Sequence, residues 1–334
     1  MVRYIIKRVL AVVPVFILVA FLSFALVSIY PGDFFTAGMM GAAYSGQDPH
    51  AWHRAAQIQA GIDKSFFVQF LVWLRNVVFY GNFGVSLSGA PLSRVLFSPS
   101  SGLYWTLLIT GLALFVSWLF GIPLGIIAAL RHKKLSDFSI SLFTYLGISA
   151  PPFALAWMFF YIMYKWINPL IINGGVWGPV DYKLINAPMS ATKLGSYAVH
   201  LIPIVLITAA PLFASIVRYM KLNLQDVLPS LYLKTARAKG VPEWRVVWKH
   251  ATRNALNPLI SLFGIMLPSL LTGSLIASRL LGYPEFGMFF IDGIARQNQP
   301  VITACLLFYC SFLIVGNLLA DLMLAVLDPR IRYD

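Results

Sequence analysis

Glu243 and Glu285 are the only glutamates in this 334-residue chain, and neither sits in a pattern that performs catalysis. There is no HExxH pair to hold a metal beside a general base, and no GxSxG elbow to present a serine nucleophile. No Gly-Lys dipeptide occurs, so the chain cannot form the GxxxxGK[ST] loop whose amides and lysine cradle nucleotide phosphates. His50 and His53 share a helical face at i, i+3, but no Cys or Glu stands near them, and a solvated pair fits better than a metal site. Cys305 and Cys310 lie five positions apart in one apolar run, matching neither a disulfide nor a metal-ligand spacing. The chain is expected to be no enzyme and to hold no metal or cofactor of its own.

The remaining polar chemistry lies at the ends and interiors of apolar runs. Asn317 and Asp321 are four apart in the last run, and an ionisable residue there faces protein or water, so Asp321 is expected to form a structural ion pair with a base such as Arg218. A proton relay fits less well, because no second acid lies in the same layer. Gly121, Pro123 and Gly125, then Pro151-Pro152, Pro203, Pro211, Pro268, Thr272 and Gly273 interrupt the runs. Small residues allow close helix packing, and proline frees backbone groups that neighbours or cavity water must satisfy.

The elements that position these residues must cross a membrane. Hydrophobic residues make up 59% of the chain and charged residues 11%, against about 25% charged in ordinary soluble domains. The net charge of +13 is scattered in short clusters beside apolar runs, which suits membrane topology and not nucleic acid. Six stretches, about 9–30, 103–130, 138–164, 198–220, 256–280 and 301–327, reach the roughly 20 residues a spanning helix needs. The first has a basic start like a signal peptide but no clear small-residue cleavage site, so it reads as a retained span. Arg3, Lys7 and Arg8, then Arg131, Lys133 and Lys134, the basic stretch 221–258, and Arg330 with Arg332 all fall on one side, which is therefore cytoplasmic, as are both termini. Lys64 to Tyr80 is apolar enough to pass for a seventh span, but it carries Lys64, Gln69, Arg75 and Asn76 and would break the charge alternation, so it is expected to be an interfacial helix. The expected organisation is all-α: residues 1–30 as cytoplasmic end and first span, 31–101 as a small external subdomain, 102–327 as a core of five spans, and 328–334 as a cytoplasmic tail.

One basic segment, 221–258, interrupts these runs. Ser230 is placed to N-cap a helix that Gly240 would end in a left-handed conformation, and a second helix would begin at Pro242. There Trp244, Val247, Trp248 and Ala251 fall at i, i+3, i+4 and i+7, with Arg245, Lys249, Thr252 and Arg253 on another side. By itself this pattern also suits a basic loop or an amphipathic helix lying on lipid headgroups.

The residue order carries more. Thr235-Ala236-Arg237-Ala238-Lys239-Gly240 resembles the EAA loop of ABC importer permeases, and His250 to Asn257, with Arg253 and Asn254, is similar to the peptide-transporter branch. Pro31-Gly32-Asp33, Gly61-Ile62-Asp63-Lys64, Val68-Gln69-Phe70, Gly84, Gly121 to Gly125, Pro284 with Gly287, and Leu327 to Tyr333 extend the resemblance to dipeptide and oligopeptide permeases along the whole chain. It departs where the general motif has Glu, Ala and Ala, aligned with Lys234, Thr235 and Ala236, and where Ser278 replaces a Glu before the Gly-aromatic-Pro turn. The resemblance implies a permease subunit of a prokaryotic inner membrane. Its implied partners are a second, similar permease, two ATPase subunits that carry ATP and Mg, an extracytoplasmic solute-binding protein, and lipid. The segment around Gly240, Trp244 and Trp248 would then be the coupling element that docks into the ATPase. Nickel complexes and oligosaccharides are alternative cargoes in the same family; an ion-coupled secondary transporter fits less well, for want of a charged midplane cluster or a clear internal repeat.

Overall fold

The computed structural model describes residues 2–29, 65–84, 91–98, 101–162, 177–296 and 298–327, with isolated positions between 43 and 54 and Lys165. The helices are α1 (Val2–Ile29), α2 (Phe66–Tyr80), α3 (Leu92–Leu96), α4 (Leu103–Leu130), α5 (Leu135–Ser149), α6 (Pro152–Ile162), α7 (Ala191–Val227), α8 (Leu231–Ala238), α9 (Glu243–Arg245), α10 (Thr252–Ser261), α11 (Phe263–Leu281), α12 (Phe286–Ala295) and α13 (Gln299–Leu327). A π-helical segment, Val246–Ala251, joins α9 to α10. The expected motifs Pro31-Gly32-Asp33 and Gly61 to Lys64, much of the expected external subdomain, His53, and the tail 328–334 lie outside the described residues.

Helices stand at all six expected positions. By length and composition α4, α7 and α13 are each sufficient to cross a membrane, and α5 with α6 makes a fourth if the pair is one span. The expected interruption at Pro151-Pro152 is a sharp one, for the pair is bent by 110°. The cause is local: a residue before proline is pushed out of the helical region, and Ala150, before Pro151-Pro152, adopts φ −77°, ψ 124°. The fourth expected span also differs, because α7 runs on past Lys221 to Val227. Its 37 residues extend about 55 Å at 1.5 Å per residue, well beyond the roughly 30 Å of hydrocarbon. The fifth is interrupted at Leu262, where α10 gives way to α11.

The chain divides into two compact units. In the first, residues 105–284 with 315–334 and the first five residues, α7 is central. Gly121 and Gly125, one turn apart on α4, let α7 approach so closely that a Cβ would come 2.8 Å from Ile216 Cγ2 and 2.6 Å from Met220 Cβ, respectively. Ser117 Oγ donates to the Ala209 carbonyl at 3.2 Å across the same crossing. His200 is buried, and its Nδ1 donates to the Ser196 carbonyl at 2.7 Å.

In the second unit, residues 6–104 with 285–314, aromatic rings carry the packing. Phe21 meets Phe70 edge-on at 5.2 Å, and Phe24 lies 5.5 Å from Trp73, which ties α2 to α1. With 15 residues α2 is about 22 Å long, short of a full crossing. Phe286, fully buried, sits among Leu92, Leu96, Val301 and Cys305 and contacts the rings of Phe308 and Tyr309.

Candidate functional site

Residues 231–261 fold into two helical arms around Gly240. Gly240 has φ +76°; its amide donates to the Arg237 carbonyl at 2.9 Å, and the Val241 amide donates to the Ala236 carbonyl at 3.2 Å. This reciprocal pair is the Schellman termination, in which the left-handed residue lets the last carbonyls be satisfied. Val241 and Ala236 then pack together on the apolar cluster beneath. Ser230 does stand at the N-cap, but its side chain makes no capping hydrogen bond. Pro242 is itself the N-cap of the second arm, so that helix begins one residue later than expected, at Glu243.

Side chains fix the angle between the arms. Arg237 donates in a fork to Glu243, Nε to Oε2 at 3.0 Å and Nη2 to Oε1 at 2.9 Å. This holds the Glu243 carboxyl below its ordinary pKa and the Arg237 guanidinium above its own. Further along, Asn254 Nδ2 donates to the Tyr232 hydroxyl at 2.7 Å. The element is fastened to α7 by Asn223 Nδ2, which donates to the Ala255 carbonyl at 3.1 Å. Its apolar underside is Leu233, Val246, Val247, Ala251 and Ala255, packed on Met220 and Leu224 of α7.

The expected apolar stripe of Trp244, Val247, Trp248 and Ala251 is not a single face. Val247 and Ala251 are buried, whereas Trp244 is 62% and Trp248 49% exposed. The reason is the π segment, whose wider turn closes hydrogen bonds to i+5 and places Val246 and Ala251, both fully buried, on the same side. An α-helical wheel cannot anticipate that shift. Thr235, Arg237, Gly240, His250, Arg253 and Asn254 are exposed with the two indoles, and Ala236 is half-buried. Arg245 places its guanidinium 5.1 Å from the Trp244 ring centre, which restrains that indole.

A second polar cluster lies at the start of α5. Asp137, 5% exposed, accepts from Lys221 Nζ of α7 and, at 3.2 Å, from Ser141 Oγ; Lys221 Nζ also reaches Ser141 Oγ at 3.1 Å. The Lys133 amide donates to Asp137 Oδ2 at 3.1 Å, holding a tight turn in which Lys133 itself has φ +64°. His132 Nδ1 lies 3.3 Å from the same oxygen. Arg218, one turn before Lys221, is exposed, and Asp321 is half-buried. Sequence reasoning missed Asp137, Asn223, Tyr232 and Glu243; only Glu243 carried a signal, as the one acid between Leu231 and Ser261.

Comparison with known proteins covers the whole length. Residues 121–333 match the family described as binding-protein-dependent transport system inner membrane component, and residues 1–117 match its N-terminal counterpart. The oligopeptide transport system permease protein AppB of Bacillus subtilis is 32% identical over 335 residues, covering all of both chains. The dipeptide transport system permease protein DppB of Escherichia coli K12 is 29% identical, and the di/tripeptide permease protein DppB of Pseudomonas aeruginosa 32%, each covering 100% of this chain and 99% of its own.

Proposed function

Because this chain belongs to the family of inner membrane components of binding-protein-dependent transport systems, we propose that it is a permease subunit of an ABC importer for short peptides, driven through the element at 231–261. With a second permease it forms the translocation path; two ATPase subunits supply the driving force, and a solute-binding protein delivers the cargo. Its six crossings leave both termini in the cytoplasm. Relatives named for oligopeptide, dipeptide and di/tripeptide transport support peptides as cargo.

The observation that carries the coupling role is the angle between the two arms, fixed by the Gly240 turn and the Arg237–Glu243 fork, with Trp244 and Trp248 held outward. A loop resting on headgroups needs no fixed angle, whereas a lever pushed by a partner does. A Cβ at Gly240 meets nothing within 4 Å, so substitution there changes the backbone preference alone. Gly240→Val imposes strain of about 1–3 kcal/mol and tilts the second arm. In vesicles holding both permeases, the ATPases, binding protein and peptide, the expected result is normal assembly with peptide-stimulated ATP hydrolysis sharply reduced. Gly240→Asn, which tolerates the left-handed conformation, should retain most coupling. Wild-type coupling in Gly240→Val would remove this turn from the mechanism.

A further inference from the structure

The reading of 231–261 as the ATPase-docking element leaves open what the partner surface must be, and the charges of this chain answer that. Between Leu231 and Asn254 stand six Lys and Arg residues and one acid, Glu243. Both oxygens of that acid are engaged by Arg237. Lys234, Lys239, Arg245 and Lys249 are all exposed, as are the two indoles. The π segment sharpens this, because burying both Val246 and Ala251 turns Trp248, Lys249 and His250 outward as three consecutive residues. A surface of this kind attracts negative charge, and two exposed indoles among basic residues call for apolar slots.

An anionic membrane has the same charge, but it needs no fixed angle between the arms such as the Gly240 turn and the Arg237–Glu243 fork supply. We propose that Trp244, Arg245, Trp248 and Lys249, flanked by Lys234 and Lys239, fit an acidic cleft on the ATPase subunit that contains apolar slots for both indoles. Docking is then steered by charge and anchored by tryptophan.

The test uses the complete permease pair in nanodiscs of neutral lipid, titrated with its own ATPase subunits at increasing ionic strength. The expected result is an affinity that falls about tenfold or more between low and several hundred millimolar salt, since opposed charges near a surface are screened on that scale. Arg245→Glu with Lys249→Glu should weaken binding comparably even at low salt and flatten the salt response. If Trp248→Ala abolishes ATPase binding while salt and charge reversal leave it unchanged, the element docks but the acidic cleft is wrong. If none of these variants alters ATPase binding, and phosphatidylglycerol vesicles instead shift the tryptophan fluorescence of the wild type, the docking reading itself fails and the surface belongs to lipid.

Discussion

Glycine performs opposite tasks in the packed crossings and in the turn of the two-arm element. At Gly125 the backbone is ordinary helix, but a Cβ would press to 2.6 Å from Met220 Cβ and 2.9 Å from the Val217 carbonyl. At Gly264 of α11 it would lie 2.8 Å from Asn317 Cα. At Gly240 the surroundings are open and only the positive φ excludes a larger residue. The crossings therefore tolerate no added atom, while the turn tolerates atoms but not an ordinary backbone. Close-packed interfaces of the first sort are bistable or rigid and do not deform smoothly. Rearrangement between access states is better served at turns and breaks than by sliding α4 over α7.

The contrast can be broken at its strongest point. Gly264→Val forces the side chain into the Asn317 backbone, and the expected loss of stability is about 3 kcal/mol or more, read as a lowered melting temperature of the purified permease pair; Gly240→Val should barely move the same melt. Equal melting of the two variants would show that the crossing yields as easily as the turn. Lys221→Met comes next: it strands the buried Asp137 carboxylate and should cost roughly 3 kcal/mol, most of it recovered in the double variant with Asp137→Leu. The smallest effect is expected at the arms' fork, where Glu243→Gln should cost less than about 1 kcal/mol because the pair is largely exposed. Its carboxyl titrates below the ordinary value of 4.5, so its contribution is complete above that value and disappears as pH falls through the lowered one. Spin labels at Lys239 and His250 should therefore show a narrow distance distribution at neutral pH that broadens in acid, and a broad one throughout in Glu243→Gln.

Features written in consecutive residues were legible beforehand. The left-handed stop at Gly240 and the bounds of the second span, 103–130, follow from local rules and recur in the structure. The prolines at 151 and 152 signalled a break, though not its 110° size, which packing sets. What escaped were interactions between distant positions. Nothing near Asp137 in sequence points to Lys221, 84 residues away. Lys221 looked like the end of a span because it is charged, yet its partner lets the helix continue through it. The π segment escaped for another reason: one wide turn changes which residues share a side, so Trp248 and Ala251 part company although an α-helical repeat joins them.

The bend between α5 and α6 has a chemical corollary. In an unbroken helix the carbonyls of Gly147 and Ile148 would receive the amide hydrogens of residues 151 and 152, and both of those residues are proline. Two strong acceptors are thus deprived of their helical donors near the middle of the stretch 138–164 expected to cross the bilayer. Hydrocarbon offers no substitute, so donors must come from neighbouring helices, from Ser or Thr side chains, or from water. The double proline therefore favours a protein-lined or hydrated setting for these two carbonyls over a lipid-facing one.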